Sequence, residues 1–304
     1  MANLDTMVSS DASSSLPVVR KIGIVDLKDA LAKGIEDFRA MPTHAIFLSI
    51  IYPVGAVVVA QLTLKDLLHL FFPLAAGFAL IGPLAALGLY ELSRRRELGI
   101  GLSWKHAFGI RHSRSIGGIL ALGALLIVIF LLWAAVAEEI YVATFGVAPP
   151  ESIPNFLRQV FTTPEGWTLI VVGNGVGFLF AVVVLIISVV SFPLLLDRDV
   201  GAGVAILTSV RVVLKNPVTM AIWGLTVAVL LVIGSLPLFI GLAVVMPVLG
   251  HSTWHLYRKL VEPDPNPRKE EPVASKPRRR RYAAQFPAAL FAGEDEPPQA
   301  GGAR

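Results

Sequence analysis

The chain has 304 residues, of which 55% are hydrophobic and only 16% are charged, and its mean hydropathy is +0.69. This composition is too apolar and too poor in charge for an ordinary soluble domain. Cysteine is absent, which excludes disulfides, thiolate metal sites, iron–sulfur clusters and a cysteine nucleophile.

The first 20 residues are polar and rich in serine, and we expect them to be disordered. They contain no short apolar core followed by a small-residue cleavage site, so we expect no cleaved signal peptide. Beyond them, residues 21–261 are predicted to form one all-α membrane domain. Its apolar residues fall into runs about 20 residues long or longer, the length a helix needs to cross a bilayer core of about 30 Å. The runs are 45–62, 70–90, 116–137, 167–196 and 218–250.

The last apolar run is either one overlong helix or two short helices that fold back at "GSLP", residues 234–237. Cytoplasmic loops of membrane proteins collect lysine and arginine, so the charge distribution distinguishes the two arrangements. Two helices, 218–236 and 238–257, place 24 basic residues on the inner side and 2 on the outer side. A single span gives 14 against 12. We therefore predict six spans, with both termini in the cytoplasm.

Two stretches that precede apolar runs resemble each other. "RELGIGLSWKHAFGIRHSRS" from Arg96 aligns without a gap with "RDVGAGVAILTSVRVVLKNP" from Arg198. A fainter copy, "DLKDALAKGIEDFRAMP", precedes the first run, with Leu31, Ile35 and Phe38 on one helical face. This predicts three helical-hairpin units, each opened by a short amphipathic helix in the cytoplasmic interface. Chance similarity between apolar sequences is the alternative.

The second spans of the first and third units give a further comparison. "GPLAALGLYELSRR" from Gly82 aligns with "MPVLGHSTWHLYRK" from Met246. The proline and the terminal basic pair recur in both segments, but the two histidines of the later segment do not recur in the earlier one.

Polar groups at membrane depth are costly and are therefore functional candidates. Asn174 lies two turns inside the fourth span, between Gly173 and Gly177. The glycines form a small-xxx-small step that lets another helix approach, and the amide can bond across such a contact. We interpret these three residues as helix-packing groups rather than as a ligand site.

His251 and His255 stand four residues apart and share one face of a helix. Such a pair can offer two imidazoles to a metal or haem, although a site needs further ligands. The alternative is that the segment is the membrane-interface end of the sixth span. We predict no metal and no cofactor, and keep the two histidines as candidates. The aromatic and basic residues around them are predicted at the headgroup level: Trp254, Tyr257, Arg258 and Lys259.

No Walker A sequence and no GxSxG elbow occur, and we predict neither catalytic residues nor an enzymatic activity. From residue 262 the composition shifts to proline, charge and small residues, so 262–304 is predicted to be a disordered cytoplasmic tail. Its "KPRRRRY" cluster is expected to lie on anionic lipid rather than on nucleic acid.

Residues 217–261 resemble the C-terminal signature of a bacterial family of integral membrane proteins, domain of unknown function 2189. The resemblance extends over about residues 20–262 and implies a location in the inner membrane. Some members of that family are labelled cytochrome c oxidase subunit I. That subunit has more spans and an adjacent His-His pair, which this chain lacks. The most specific pattern is GH(S/A)TWHxYR, carried here by Gly250, His251, Thr253, Trp254, His255, Tyr257 and Arg258.

These observations lead us to expect a non-enzymatic scaffold, assembly or envelope factor of the bacterial inner membrane. A small transporter or channel, and a haem- or metal-binding accessory of a respiratory complex, are the alternatives. The expected partners are the lipid bilayer, anionic lipids at the basic tail, and membrane proteins or further copies of the chain.

Overall fold

All regular elements in the described part of the computed structural model are α-helices. The structure describes residues 16–42, 73–74, 77, 80, 82–100, 115–148, 150, 152–237 and 239–264, which lie within one compact unit. Three predicted regions lie outside the described residues: the first span, the N-terminal residues 1–15 and the tail from residue 265. The helices are α1 (Ile24–Ala40), α2 (Gly82–Ala85), α3 (Leu87–Glu97), α4 (Ile116–Phe145), α5 (Ile153–Thr162), α6 (Pro164–Ser188), α7 (Ser191–Asp197), α8 (Ala202–Lys215), α9 (Pro217–Ser235) and α10 (Leu242–Leu260).

Three stretches of the described chain are long and apolar enough to cross a membrane: α4, α6 continued by α7, and α9. They coincide with the third, fourth and fifth predicted spans. α4 extends eight residues beyond the predicted end at 137, and α6 is separated from α7 by a short turn at 189–190. α10 is not among the three, because its second half carries histidines, hydroxyl groups and a basic pair.

The last apolar run forms two helices, α9 and α10, which are joined by residues 236–241 and pack on each other. Pro237 falls in the turn, where its missing N–H and its ring prevent α9 from continuing. Gly241 lies so close to the end of α9 that an added Cβ would stand 2.7 Å from the Gly234 carbonyl oxygen. A residue with a side chain at 241 would push the two helices apart.

The ends of several helices meet in one region, which we call the common end. It contains the C-terminal ends of α3, α7 and α10 and the N-terminal ends of α1, α4 and α9. The Ser115 hydroxyl, before α4, donates to the Arg198 carbonyl after α7 at 2.9 Å. The Asn216 amide, before α9, accepts from the Ile22 N–H at 2.9 Å and donates to the Arg20 carbonyl at 3.0 Å.

α1 packs along the second half of α10, and the two helices run in opposite directions. Lys259 pairs with Asp26 near the start of α1. Ser252, which comes earlier in α10, lies against Gly34, which comes later in α1. An added Cβ on Gly34 would stand 2.6 Å from the Ser252 backbone nitrogen, so glycine is required for this approach. The line of α1 that faces α10 is buried: Leu27, Ala30, Gly34 and Asp37.

This packing differs from the predicted interfacial position of α1. The face predicted from Leu31, Ile35 and Phe38 is only half-buried and lies beside the buried line. Protein contacts, rather than lipid, therefore cover the side of the helix that carries Gly34 and Asp37.

α8 repeats the burial pattern of α1 at the spacing of the proposed repeat. Ala205 and Ser209 of α8 occupy the places of Ala30 and Gly34, and all four are buried. The corresponding copy between α3 and α4 lies outside the described residues. The aligned segments of α3 and α10 also share a fully buried leucine, at positions 92 and 256.

Candidate functional site

A buried polar cluster lies where α1, α3 and α10 meet. α10 contributes His251 and His255, which one helical turn places on the same face. α1 contributes Asp37, and α3 contributes Ser93 and Arg96 on consecutive turns. Asp37 is 2% exposed, and Ser93 and His251 are fully buried. We refer to these five residues as the polar cluster.

The carboxylate of Asp37 is the centre of the polar cluster. Its Oδ2 atom accepts from the Ser93 hydroxyl at 2.5 Å and from His255 Nε2 at 2.9 Å. Its Oδ1 atom accepts from the Arg96 guanidinium, which also reaches Glu36 at 2.9 Å. Both carboxylate oxygens are thus occupied by donors from the two neighbouring helices.

The hydrogen-bond directions assign the proton positions on His251. Ser93 has a single hydroxyl proton, and Asp37 as a carboxylate can only accept it. The contact of 2.7 Å between Ser93 Oγ and His251 Nδ1 therefore requires Nδ1 to be the donor. A chain of hydrogen bonds runs from His251 through Ser93 to Asp37, where His255 also donates.

The second ring nitrogen of His251, Nε2, is buried and makes no well-formed hydrogen bond in the described structure. The backbone of Leu89 lies beside the ring. The chain of side-chain hydrogen bonds that begins at Asp37 therefore ends at His251.

Burial by itself would raise the pKa of Asp37. The hydrogen bonds donated by the three partner side chains outweigh burial and hold that pKa below its ordinary value. The same contact with Asp37 raises the pKa of Arg96. The polar cluster therefore holds a carboxylate charge inside the protein, and the partner charge of Arg96 comes from another helix.

Each histidine uses one ring nitrogen within the polar cluster. His255 Nε2 bonds Asp37, and His251 Nδ1 bonds Ser93. A metal would reach either of these two nitrogens only by replacing its hydrogen bond. Within the described ranges, no group of three or more histidine, aspartate or glutamate side chains is arranged to hold a metal ion.

The aromatic residues predicted at the headgroup level lie inside the protein. Trp254 and Tyr257 are each 1% exposed. Trp254 donates to Glu97 at 2.9 Å, and Tyr257 donates to Asp197 at 2.6 Å. Their polar atoms are satisfied by carboxylates from α3 and α7, so these rings join helices at the common end instead of facing lipid.

The basic pair predicted at the headgroup level is also paired within the protein. Arg258 bonds Glu97 at 3.0 Å, and Lys259 reaches Asp29 at 2.8 Å and Asp26 at 3.2 Å. The hydrogen bond with Asp29 and, to a smaller extent, that with Asp26 raise the pKa of Lys259. Both side chains keep part of their surface exposed, in contrast to the rings beside them.

The predicted helix-packing residues of α6 separate into two environments. An added Cβ on Gly177 would stand 3.0 Å from the Trp133 ring, so this glycine lets α4 approach closely. Gly173 has no neighbour within 4 Å of such an atom. Asn174 is exposed, and its amide donates to the Ile170 carbonyl of its own helix at 2.7 Å.

The partners of the histidines were not recognised from the sequence. Asp37 carried the clearest signal, since it falls on the same helical face as Leu27, Ala30 and Gly34. A charged residue on the buried line of an amphipathic helix requires a buried partner. For Ser93, comparable evidence is absent, because isolated serines are frequent in helices of every kind.

Residues 71–197 match the model of the family DUF2189, described as a predicted integral membrane protein. Together with the three long apolar helices, this similarity shows that the chain is a membrane protein. The family resemblance inferred from the sequence is confirmed over these residues, which include α2 to α7. They supply Ser93 and Arg96 to the polar cluster, whereas the segment with the two histidines lies outside the match. No curated protein and no solved structure matches the chain.

Proposed function

We propose that the protein is a six-span scaffold of the bacterial inner membrane, with both termini in the cytoplasm. It acts through helix packing in the membrane and through its cytoplasmic end, without catalysing a reaction or transporting a solute. The observation that carries the proposal is the common end, where ionisable side chains from several helices bind one another.

The common end fits the predicted inner side of the membrane. Most basic residues fall in four segments: residues 1–44, which contain α1, and the segments at the C-terminal ends of α3, α7 and α10. Each of the four segments has described residues at the common end. The links at the opposite helix ends, 146–163 and 236–241, contain only Arg158 as a basic residue. This asymmetry is the one that cytoplasmic and outer loops show.

The distribution of polar contacts favours a scaffold over a transporter. Transport sites gather polar groups around an accessible path near the middle of the membrane. Here the buried carboxylate of the polar cluster is paired with side chains of the same cluster. Asn174, a polar amide within an apolar span, bonds its own helix.

The membrane-capable helices leave wide apolar surfaces uncovered. Leu131 of α4, Val171 of α6 and Val232 of α9 are each about 60% exposed or more. Such surfaces suit lipid and the helices of other membrane proteins. This arrangement supports a role in which the protein holds partners in the bilayer.

The topology is tested by single-cysteine labelling, which is straightforward because the chain has no cysteine. Leu98→Cys and Ser275→Cys should react with an impermeant maleimide only in inside-out vesicles. Val147→Cys should react only in intact spheroplasts. The reverse pattern, or labelling of positions 98 and 275 from opposite sides, contradicts the proposed topology.

The scaffold role is tested by photo-crosslinking in cells and by flux measurements. A photoreactive residue at Leu131 or Val171 should give discrete, reproducible adducts with membrane proteins, and one at the buried Leu122 should not. Reconstituted vesicles should show no saturable uptake. Uptake that saturates with solute, or the absence of discrete adducts from both exposed positions, would overturn the proposal.

A further inference from the structure

We propose that α8 and residues 16–19, the segment before α1, form a binding site for an anionic phospholipid, with Arg211 as the headgroup contact. The site differs from the basic tail, and it rests on the proposed function in that α8 lies at the cytoplasmic surface of the bilayer.

α8 carries apolar residues on both of its sides. Its buried side, with Ala205 and Val212, packs on the protein. Its opposite side carries Leu207 and Leu214, which are 45% and 74% exposed. A helix that faces water on one side has a polar outer face, so these leucines indicate that the outer face of α8 meets an apolar environment.

The position of α8 places this face at the edge of the bilayer. α8 ends at Lys215, the backbone leaves the helical conformation at Asn216, and the membrane-capable α9 begins at Pro217. Val218, in the first turn of α9, is 70% exposed and continues the apolar surface. A helix with an apolar outer face directly before a span is typical of helices in the headgroup region.

A cation lies in the middle of this apolar face. Arg211 is exposed between Leu207 and Leu214, one turn from each along the helix. In the described structure its guanidinium has no hydrogen bond or ion pair, unlike the arginines Arg96 and Arg258 of the common end. A free guanidinium among exposed leucines matches a phosphate headgroup attached to acyl chains.

A groove beside Arg211 supplies the rest of the site. It runs between α8 and the segment before α1, and Lys215 reaches across it to donate to the Val19 carbonyl at 2.8 Å. Lys215 adds a second positive charge one turn after Arg211. The groove is lined by Leu16, Val18, Val19, Arg211, Leu214 and Lys215. Its apolar walls and two cations fit the glycerol region and phosphate of one lipid.

The test is native mass spectrometry of the full chain in mild detergent, equilibrated with phosphatidylglycerol or with phosphatidylcholine. The wild type should retain one phosphatidylglycerol in preference to phosphatidylcholine. Arg211→Gln should lower this occupancy about fivefold, since a basic residue near an anionic leaflet contributes about 1 kcal/mol. Arg211→Lys should keep most of the binding, and Leu214→Ser should lower it without changing the charge.

Two control variants separate this site from other basic regions. Lys28→Gln removes one exposed charge from α1 and should change the occupancy less than twofold. A variant in which Arg278, Arg279, Arg280 and Arg281 are all replaced by serine should keep the one bound phosphatidylglycerol, because these residues belong to the tail.

Equal retention of the two lipids, or equal effects of Arg211→Gln and Lys28→Gln, overturns the site. Loss of the bound phosphatidylglycerol in the tail variant but not in Arg211→Gln also overturns it. Thermal unfolding of each variant shows whether it is folded, and the exposed position of Arg211 predicts no loss of stability. The cysteine-labelling pattern is measured separately, so failure of the lipid site and failure of the topology give different results.

Discussion

Replacing Asp37 by asparagine tests whether the polar cluster holds α1 on α10. The substitution keeps the size of the side chain and removes its charge. An asparagine has a single acceptor oxygen, but three donors from α3 and α10 point at the two oxygens of Asp37. At least one donor is then left unpaired in a position that water does not reach.

The expected cost follows from burial and from the number of broken bonds. Removing one partner of a buried charged pair costs about 3–5 kcal/mol, and the remaining amide hydrogen bonds recover part of this. We expect Asp37→Asn to destabilise the protein by about 3 kcal/mol. For a domain of this size, that corresponds to a fall in Tm of about 6–12 °C.

Thermal unfolding in mild detergent, followed by tryptophan fluorescence, measures the shift. The matched control is Asp29→Asn on the same helix. Asp29 also pairs with cations, but its side chain is 42% exposed, so its loss should cost less than about 1 kcal/mol. Equal shifts in Tm for the two variants would refute the inference that the polar cluster is energetically distinct from surface ion pairs.

The pH dependence gives an independent check on Asp37. The pKa of its carboxyl is lower in the folded state than in the unfolded chain, where it is about 3.9. The stability that it contributes is fully present above that unfolded value and is lost as the pH falls through the folded pKa. The difference in stability between wild type and Asp37→Asn should narrow below about pH 4. A difference that widens on acidification contradicts the assignment.

Three further substitutions test the packing and the hydrogen bonds of the same region by thermal unfolding. Gly34→Ala should cost about 1–2 kcal/mol, because the added methyl group meets the α10 backbone, whereas Gly173→Ala, with open space around it, should be neutral or stabilising by up to about 1 kcal/mol. Ser93→Ala should cost about 1–3 kcal/mol, and its effect should be less than additive with Asp37→Asn, since the two share one hydrogen bond; full additivity would contradict the cluster. Tyr257→Phe should cost about 1–2 kcal/mol through the loss of its buried hydroxyl contact, and an unchanged Tm would show that the contact is not formed.

Much of the helical order was predictable because it depends on local pattern. The apolar runs at 116–137, 167–196 and 218–236 coincide with helices, since run length and hydropathy need no knowledge of neighbours. The end of α9 near residue 235 was also predictable, because Pro237 cannot continue a helix whatever it packs against.

The candidate site was predictable only in part. The spacing of His251 and His255 indicated a shared helical face, and both side chains lie in the polar cluster. It did not distinguish an imidazole that binds a ligand from one that pairs with a buried carboxylate. That distinction depends on Asp37, more than 200 residues earlier in the chain, as the separation of 218 positions from His255 shows.

The environments of Trp254 and Tyr257 also depend on tertiary partners that the local sequence pattern does not reveal. Aromatic rings beside a basic pair are typical of the membrane interface, and the sequence contains that pattern. In the structure, carboxylates of α3 and α7 meet these rings and bury them.

Composition, run length and charge asymmetry by themselves determined that this is a helical membrane protein, because each of these is a sum over single residues or local windows. Only the tertiary structure decided that α1 lies on α10, that Asp37 joins the two histidines to Ser93 and Arg96, and that Arg211 lies on an exposed apolar face. Those outcomes depend on which helices approach each other, since a buried polar group is stable only where another element supplies its partner.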